Sequence, residues 1–204
     1  MSSESRPWHR DPENVIRLLT LVGALVAFVL GLREYREDQR WKRLALFTEQ
    51  LQAFEAEPAI DNALVMLDYR DPHVCVAEDA VPDPARRCMQ VTDSLMVSAL
   101  SGILEGRILS DHEHHVVYAL DRLLTALDRI DYLHSQGFLS GEVQHPTVAY
   151  WIALIGDRRA TTRPPAVHRK LCDYVREMKY VGALRLVAQY TPAEQRVEGC
   201  TIKR

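Results

Sequence analysis

A single apolar segment near the N-terminus restricts the structure of this chain more than any other feature. Residues 18–32 carry no charged side chain, and back to Val15 the segment is interrupted only by Arg17. As a helix with a rise of 1.5 Å per residue, residues 15–32 would span about 27 Å, close to the ~30 Å of a hydrocarbon core. The sequence therefore predicts a transmembrane anchor at residues 15–32 after an N-terminal tail, residues 1–14.

Two other structures compete with the anchor: a cleaved signal peptide and a buried core helix. A signal peptide ends in an A-x-A-like cleavage pattern, whereas this segment ends in Gly31-Leu32-Arg33-Glu34. The terminal position, the apolar surface on all sides and the basic flanks favour an anchor over a core helix.

The basic residues on the two sides of the segment predict its orientation. Arg6 and Arg10 precede it, and five basic residues follow within a short distance: Arg33, Arg36, Arg40, Lys42 and Arg43. The positive-inside rule then places the C-terminal side in the cytoplasm, beneath the inner membrane. In that reducing compartment we expect thiols at the four cysteines, which show no C-x-x-C spacing: Cys75, Cys88, Cys172 and Cys200.

Helical periodicity dominates the rest of the chain. Apolar residues recur at intervals of three and four, which predicts an all-α fold: a single transmembrane helix followed by a cytosolic helical bundle. We expect a juxtamembrane helix at residues 33–57 and a helical domain at residues 58–190, with a long loop at residues 68–90. The polar tail, residues 191–204, is expected to be mobile.

Capping residues mark the ends of individual helices. The clearest helix begins at Ser110 or Asp111, either of which can cap its N-terminus, and it ends before Gly137. The last long helix is predicted to begin at Pro164-Pro165 and to end at Thr191-Pro192.

Two segments contain short patterns that occur together elsewhere. Residues Leu123 to Asp157 combine an L-x-R-hydrophobic helix, a Gly-apolar turn and a Y-W-x-x-L-I-G-D helix, and Trp41 to Tyr69 add a Met-Leu-Asp-aromatic pattern. Together they resemble a family of uncharacterised bacterial membrane-anchored proteins. The resemblance implies an anchor with a helical cytosolic domain, and it supplies no catalytic residue.

The densest group of metal-ligating residue types begins the clearest helix. Asp111 and His115 are four residues apart, and His112 and His115 are three apart, so each pair shares a helix face. A Glu-x-x-His pair, Glu142 and His145, would be the second source of ligands, as in di-metal bundles. We favour a solvated helix start, where acidic residues stabilise the helix dipole, over a metal site.

A basic stretch surrounds the predicted helix start at Pro164-Pro165. Free N–H groups at helix N-termini and the planar guanidinium group both suit phosphate, so this stretch is the candidate anion site. A solvated loop of surface arginines is the favoured alternative, because no Gly-rich cradle accompanies it. The candidate residues are Arg158, Arg159, Arg163, His168, Arg169 and Lys170.

No arrangement of residues in the sequence indicates a catalytic reaction. The formal net charge of −3 argues against a nucleic-acid partner. We therefore expect a membrane-tethered interaction or regulatory module without cofactor, which contacts the bilayer through residues 15–32 and binds a protein partner or itself. The G-x-x-x-A pair Gly23 and Ala27 is a candidate packing face through which the anchor could self-associate, and pore formation is a further alternative on that ground. An anionic-ligand or headgroup sensor and a membrane-bound metalloenzyme are the alternatives.

Overall fold

The computed structural model describes residues 12–75, 88–137, 146–160 and 162–200. They form seven helices and two short strands, so the all-α class is confirmed and a small hairpin is added to it. The chain divides into two compact units, Met1–Leu46 and Phe47–Arg204, and the second is called the helical unit here. The elements are α1 (Pro12–Glu55), α2 (Pro58–Asp68), β1 (His73–Cys75), β2 (Cys88–Gln90), α3 (Asp93–Leu104), α4 (Asp111–Ser135), α5 (Pro146–Gly156), α6 (Pro165–Glu177) and α7 (Val181–Tyr190).

The first helix carries the apolar segment. Among the described residues, α1 is the one helix long and apolar enough to cross a membrane, judged by length and composition. Its apolar side chains from Val15 to Leu32 are exposed on every side. Even the hydroxyl of Thr20 is satisfied within the helix, because it donates to the Ile16 carbonyl at 2.9 Å. Such a segment leaves few polar groups that need water.

Helix α4 lies at the centre of the helical unit. It packs against α2, α3 and α7. Its buried face repeats at intervals of three and four residues and includes Val116, Leu120, Leu123, Leu127 and Ile130. This apolar stripe is therefore the surface against which α2, α3 and α7 pack.

The two ends of α4 follow the predicted capping chemistry. The Ser110 hydroxyl accepts from the Glu113 N–H, and the Glu113 carboxylate accepts from the Ser110 N–H at 2.8 Å. This reciprocal pair is a capping box, which satisfies backbone donors that have no partner inside the helix. Gly137 follows the last turn with a φ of 73°, a conformation that glycine adopts without strain.

The prediction of one helix between Pro165 and Thr191 is wrong, because the chain breaks into α6 and α7. Lys179 lies in the left-handed region with a φ of 63°. The N–H of Tyr180 donates to the Val175 carbonyl at 3.0 Å, which closes the end of α6. Residues 178–180, which separate α6 from α7, include no glycine or proline. The sequence therefore gives no local signal that the helix ends there.

The break lets α7 fold back onto the bundle, where it contacts α4, α5 and α6. The approach to α4 is close at Gly182, since a Cβ there would lie 2.8 Å from the Asp128 Cα. A second close approach joins α5 and α7, where a Cβ on Gly156 would overlap a Val187 methyl group. Glycine at both positions permits helix packing that any larger side chain would prevent.

Part of the predicted loop at residues 68–90 is an antiparallel hairpin. In the register of β1 and β2, Val74 opposes Met89, and both side chains are buried. The N–H of Val91 donates to the Pro72 carbonyl at 2.8 Å and closes the base of the hairpin. The intervening residues 76–87 lie outside the described ranges.

The expectation of a mobile tail from residue 191 onward is wrong for residues 191–200. Val197 and Cys200 are buried, and the Val197 N–H donates to the Gly156 carbonyl at 2.9 Å. Asp157 and Arg196 form an antiparallel bridge beside this bond. The segment is held because it covers the C-terminal end of α5, whose last carbonyls need partners. Residues 201–204 lie outside the described ranges.

Candidate functional site

All four cysteines form disulfides, so the expectation of thiols is wrong. Cys75 pairs with Cys88, and Cys172 pairs with Cys200. The partners are 13 and 28 residues apart in the sequence, and the fold brings their Cα atoms to 4.0 and 4.9 Å. A C-x-x-C spacing is not needed when tertiary structure supplies the proximity. An even number of cysteines was the available signal, but it does not reveal the pairing.

The two disulfides differ in their surroundings. Cys75 and Cys88 oppose each other across β1 and β2 and are both exposed. Cys172, in α6, and Cys200, after α7, are both fully buried. One bridge therefore lies on the outer face of a hairpin, and the other joins the C-terminal segment to the core.

The six candidate anion-binding residues do not share one exposed surface. Arg163 and His168 are buried, whereas the other four candidates are exposed or half-buried: Arg158, Arg159, Arg169 and Lys170. The Arg158 guanidinium donates to the Glu194 carbonyl, and the Arg159 N–H donates to the Asp157 carboxylate at 2.8 Å. Anion binding stays a prediction for the exposed members alone.

Arg163 serves as an internal brace between distant parts of the chain. Its Nε donates to the Met66 carbonyl at 2.8 Å, and its Nη2 donates to the Val91 carbonyl at 3.1 Å. Its Nη1 forms an ion pair of 2.7 Å with Asp93. Next to it, the Thr162 hydroxyl donates to the Asp68 carbonyl at 2.7 Å. The end of α2, the end of the hairpin and the start of α3 are thereby joined through one guanidinium group.

His168 is buried in the first turns of α6 with one nitrogen lacking a hydrogen-bond partner. That nitrogen is Nε2. Burial lowers the pKa of the imidazole, while a hydrogen bond to the backbone of Leu154 opposes this change and the charge of Arg163 adds to it. A neutral ring is favoured because a charged one would lose its hydration beside another cation.

The candidate metal ligands of α4 point to different environments. Asp111 and His112 are exposed, and His115 is half-buried with a pKa lowered chiefly by burial. Glu142 and His145 lie outside the described residues. Within the described ranges, no group of three or more His, Cys, Asp or Glu side chains converges on a point where a metal ion could bind.

Glu113, the buried acid beside these histidines, is fully engaged in structural contacts. Its carboxylate accepts from the Ser98 hydroxyl at 2.6 Å and from the Arg107 guanidinium at 2.5 Å, in addition to the capping box. These donors, with Arg107 foremost, hold the pKa of Glu113 far below its ordinary value. The carboxylate thus joins α3, the following loop and the start of α4.

A second polar network lies where α4 meets α6 and α7. One oxygen of Asp121 accepts from the hydroxyls of Tyr174 and Tyr180 at 2.6 and 2.8 Å. Burial, followed by the hydrogen bond to Asp121, raises the pKa of both tyrosines. Both hydroxyls therefore remain protonated donors at neutral pH, and the network holds the break between α6 and α7.

Two further acids of α4 hold the start of α7. Asp128 accepts from the Ala183 N–H at 2.8 Å, although Asp128 belongs to another helix. Burial raises the pKa of its carboxyl group. Asp131 is buried and pairs with Arg185 of α7 at 2.5 Å. These carboxylates satisfy free N–H groups and a cation at the α4–α7 contact.

No family model, curated protein or solved structure matches this chain. The resemblance to membrane-anchored proteins therefore stays a prediction from the sequence.

Proposed function

We propose that this chain is a membrane-tethered interaction or regulatory module without catalytic activity of its own, and that its helical unit lies in an oxidising compartment. The observation that carries the proposal is the union, in one chain, of an exposed apolar helix and a helical unit with two disulfides. The tether restricts the module to a membrane surface, and the disulfides indicate the side.

The tether is supported by the surroundings of α1. Leucine, valine and phenylalanine cover its surface between Val15 and Leu32, and their exposure to water would be unfavourable by about 25 cal/mol for each Å² of apolar surface. A hydrocarbon core removes that cost without any protein contact. Arg17 pairs with Glu13 at 2.7 Å near the beginning of the helix, where both can reach the headgroups.

The disulfides favour the oxidising side over the cytoplasm. Glutathione and thioredoxin systems keep cytosolic cysteines reduced, and an exposed bridge such as Cys75–Cys88 is accessible to them. The excess of basic residues after the anchor favours the opposite orientation. The positive-inside rule does count these residues, since they lie within about 15–20 residues of the span, but the long domain that follows is translocated largely irrespective of its charge. We therefore give the disulfides the greater weight.

The use of the buried charges supports a role in binding rather than in catalysis. Glu113, Asp131 and Arg163 are buried, and each is paired with groups that hold helices or loops together. If such a group left its partner to take part in a reaction, an uncompensated charge would remain buried and the packing would be destabilised. A binding partner would therefore contact exposed side chains rather than these buried charges.

The outer face of α4 supplies residue types that dominate protein interfaces. Tyr118, Arg122, Thr125, Arg129 and Tyr132 recur at intervals of four and three and are all exposed. Tyrosine and arginine are enriched among the residues that contribute most binding energy. Arg122 also pairs with Glu57, and the Arg129 guanidinium lies 6.0 Å from the centroid of the Phe54 ring, so two of these side chains have partners within the helical unit. We propose it as the contact surface for a protein partner, a second copy included.

The orientation is tested with a reporter fused to the C-terminus. Alkaline phosphatase becomes active after export and stays inactive in the cytoplasm, so we expect an active fusion in a bacterial host. Alkylation of the unfused chain in lysates without reductant should find no free thiol. An inactive fusion together with four alkylated cysteines would return the helical unit to the cytoplasm.

The contact surface is tested by photo-crosslinking in membranes. A photoreactive residue at position 118 or 132 should give a discrete adduct, whereas the same residue at Gln189, exposed on α7, should give none. Mass spectrometry of the adduct separates a foreign protein from a second copy. Equal adducts at all three positions, or none at 118 and 132, would contradict the proposed surface.

A further inference from the structure

The two disulfides have opposite accessibility to a reductant. Thiol–disulfide exchange requires a thiolate to reach one sulfur atom, so burial of a bridge blocks the reaction until the surrounding structure opens. Cys172 and Cys200 are fully buried, and Cys200 contacts the Ile155 carbonyl at 3.8 Å in the interior. Cys75 and Cys88 are exposed.

The hairpin presents its bridge on one face only. Side chains alternate along a strand, so Val74 and Met89 point to the core while the cysteines point away from it. Cys75 and Cys88 are directly opposed in the register, at the end of the described strand pair. A reductant can therefore approach the bridge without moving the core.

Opening the bridge would leave the base of the hairpin in place. Independent contacts hold it: the Asn62 amide donates to the Cys75 carbonyl at 2.9 Å, and Val91 N–H donates to Pro72. Arg163 also donates to the Val91 carbonyl at 3.1 Å. Reduction would remove the covalent link between residues 75 and 88 and leave the packing of the helices intact.

We propose that Cys75–Cys88 is a thiol–disulfide exchange site whose partner is a dithiol oxidoreductase, and that Cys172–Cys200 is a permanent staple. This proposal rests on the oxidising compartment proposed above. A thiolate of the partner attacks Cys75 or Cys88, a mixed disulfide forms, and the other cysteine leaves as a thiolate that takes up a proton. The second thiolate of the partner then attacks the partner's first sulfur, and the remaining cysteine of this chain leaves as a thiolate that also takes up a proton. The partner becomes a disulfide, and two electrons and two protons reduce Cys75 and Cys88 to thiols.

The state of the cysteines in the purified full chain is determined first. Protein extracted from membranes in detergent, with thiols blocked at lysis, is analysed by peptide mass spectrometry. Both bridges should be present. Four blocked thiols at this stage would overturn the compartment and, with it, this proposal.

The exchange itself is measured on the oxidised full chain. Reduced thioredoxin, as a probe dithiol, is added and the emerging thiols are alkylated over time. Cys75 and Cys88 should be alkylated at least about tenfold faster than Cys172 and Cys200, because the buried bridge requires prior opening. Equal rates, or faster reaction at Cys172 and Cys200, would overturn the exchange site and leave the compartment proposal standing.

Trapping identifies the attacked bridge directly. A thioredoxin variant that lacks its resolving cysteine should form a stable mixed disulfide with the full chain. The Cys75→Ser and Cys88→Ser double variant should lose that adduct, whereas the Cys172→Ser and Cys200→Ser double variant should keep it. Melting of the two double variants shows whether each still folds. An adduct that persists in a folded Cys75→Ser, Cys88→Ser chain would refute the assignment.

Discussion

Leucine residues in α1 and α4 have opposite surroundings in the same chain. Leu25 of α1 has 62% of its surface exposed, whereas Leu123 of α4 has none. The difference follows from pattern, since α1 is apolar on all sides and α4 carries one apolar stripe. A stripe can be covered by neighbouring helices, and an all-round apolar surface suits a hydrocarbon solvent. The same residue type therefore reports on protein packing in α4 and on the bilayer in α1.

The largest expected difference between α1 and α4 is the effect of replacing one leucine in each helix, Leu25 or Leu123, by aspartate. Leu123→Asp should abolish cooperative thermal unfolding of the full chain in detergent, because burial of an unpaired carboxylate costs several kcal/mol. Leu25→Asp should leave that transition unchanged. Instead it should weaken retention in carbonate-washed membranes, since a charge at mid-span costs about 3 kcal/mol. A melting transition of normal height in Leu123→Asp would break the comparison.

The next largest effect is expected at the internal brace. Arg163→Ala leaves the Met66 and Val91 carbonyls and Asp93 without their common donor, so urea unfolding should lose about 3–5 kcal/mol. Arg159→Ala is the matched control, because Arg159 is exposed and four residues away. It should change stability by less than about 0.5 kcal/mol. Equal urea midpoints for the two variants would show that the contacts of Arg163 with α2, the hairpin and α3 do not stabilise the fold.

A smaller difference in stability is expected between alanine substitutions at Gly182 of α7 and at Gly23 of α1. Gly182→Ala forces α7 away from Asp128 and should cost about 1–3 kcal/mol, measured as a lowered urea midpoint. Gly23→Ala in α1 meets nothing within 4 Å and should leave the helical unit unaffected. An unchanged midpoint for Gly182→Ala would mean that α4 and α7 can separate without loss.

Local signals in the sequence were sufficient for the elements that end in recognisable caps. Ser110, Glu113 and Gly137 define α4 through contacts a few residues apart, and its apolar stripe indicates the buried face. The break between α6 and α7 carried no such signal. Lys179 adopts its left-handed conformation because Asp121 and Asp128 of α4 hold the turn and the start of α7, and neither contact is local.

The candidate site was predicted least well, because its decisive contacts span long distances along the chain. Arg163 binds Met66 across 97 residues and Asp93 across 70. A basic stretch that predicted an exposed anion site therefore contains a buried arginine that joins distant parts of the chain. The cysteine pairs depend equally on the fold. Sequence spacing alone could not separate an exposed bridge from a buried one, since exposure is a property of the assembled hairpin and core.

The smallest effect concerns pH and the buried imidazole of His168. The pKa of His168 is lowered in the folded chain from its ordinary value of 6.5, mainly by burial. An unfolded chain therefore binds a proton below about pH 6.5, where the folded chain still does not, so stability falls as the pH decreases through this range. The melting temperature should decrease from pH 7.5 to 5.5, by about 2–4 °C for each kcal/mol lost.

The His168→Gln variant isolates this contribution, because glutamine keeps an N–H donor for the Leu154 backbone but does not titrate. Its melting temperature should vary less with pH than that of the parent chain over the same interval, whatever its absolute stability. His115→Gln is the matched control, since His115 also has a lowered pKa but is only half-buried. It should remove less of the pH dependence. An identical pH slope in His168→Gln and the parent would show that folding does not lower the pKa of His168, so that the buried ring beside Arg163 takes up a proton as readily as it does in the unfolded chain.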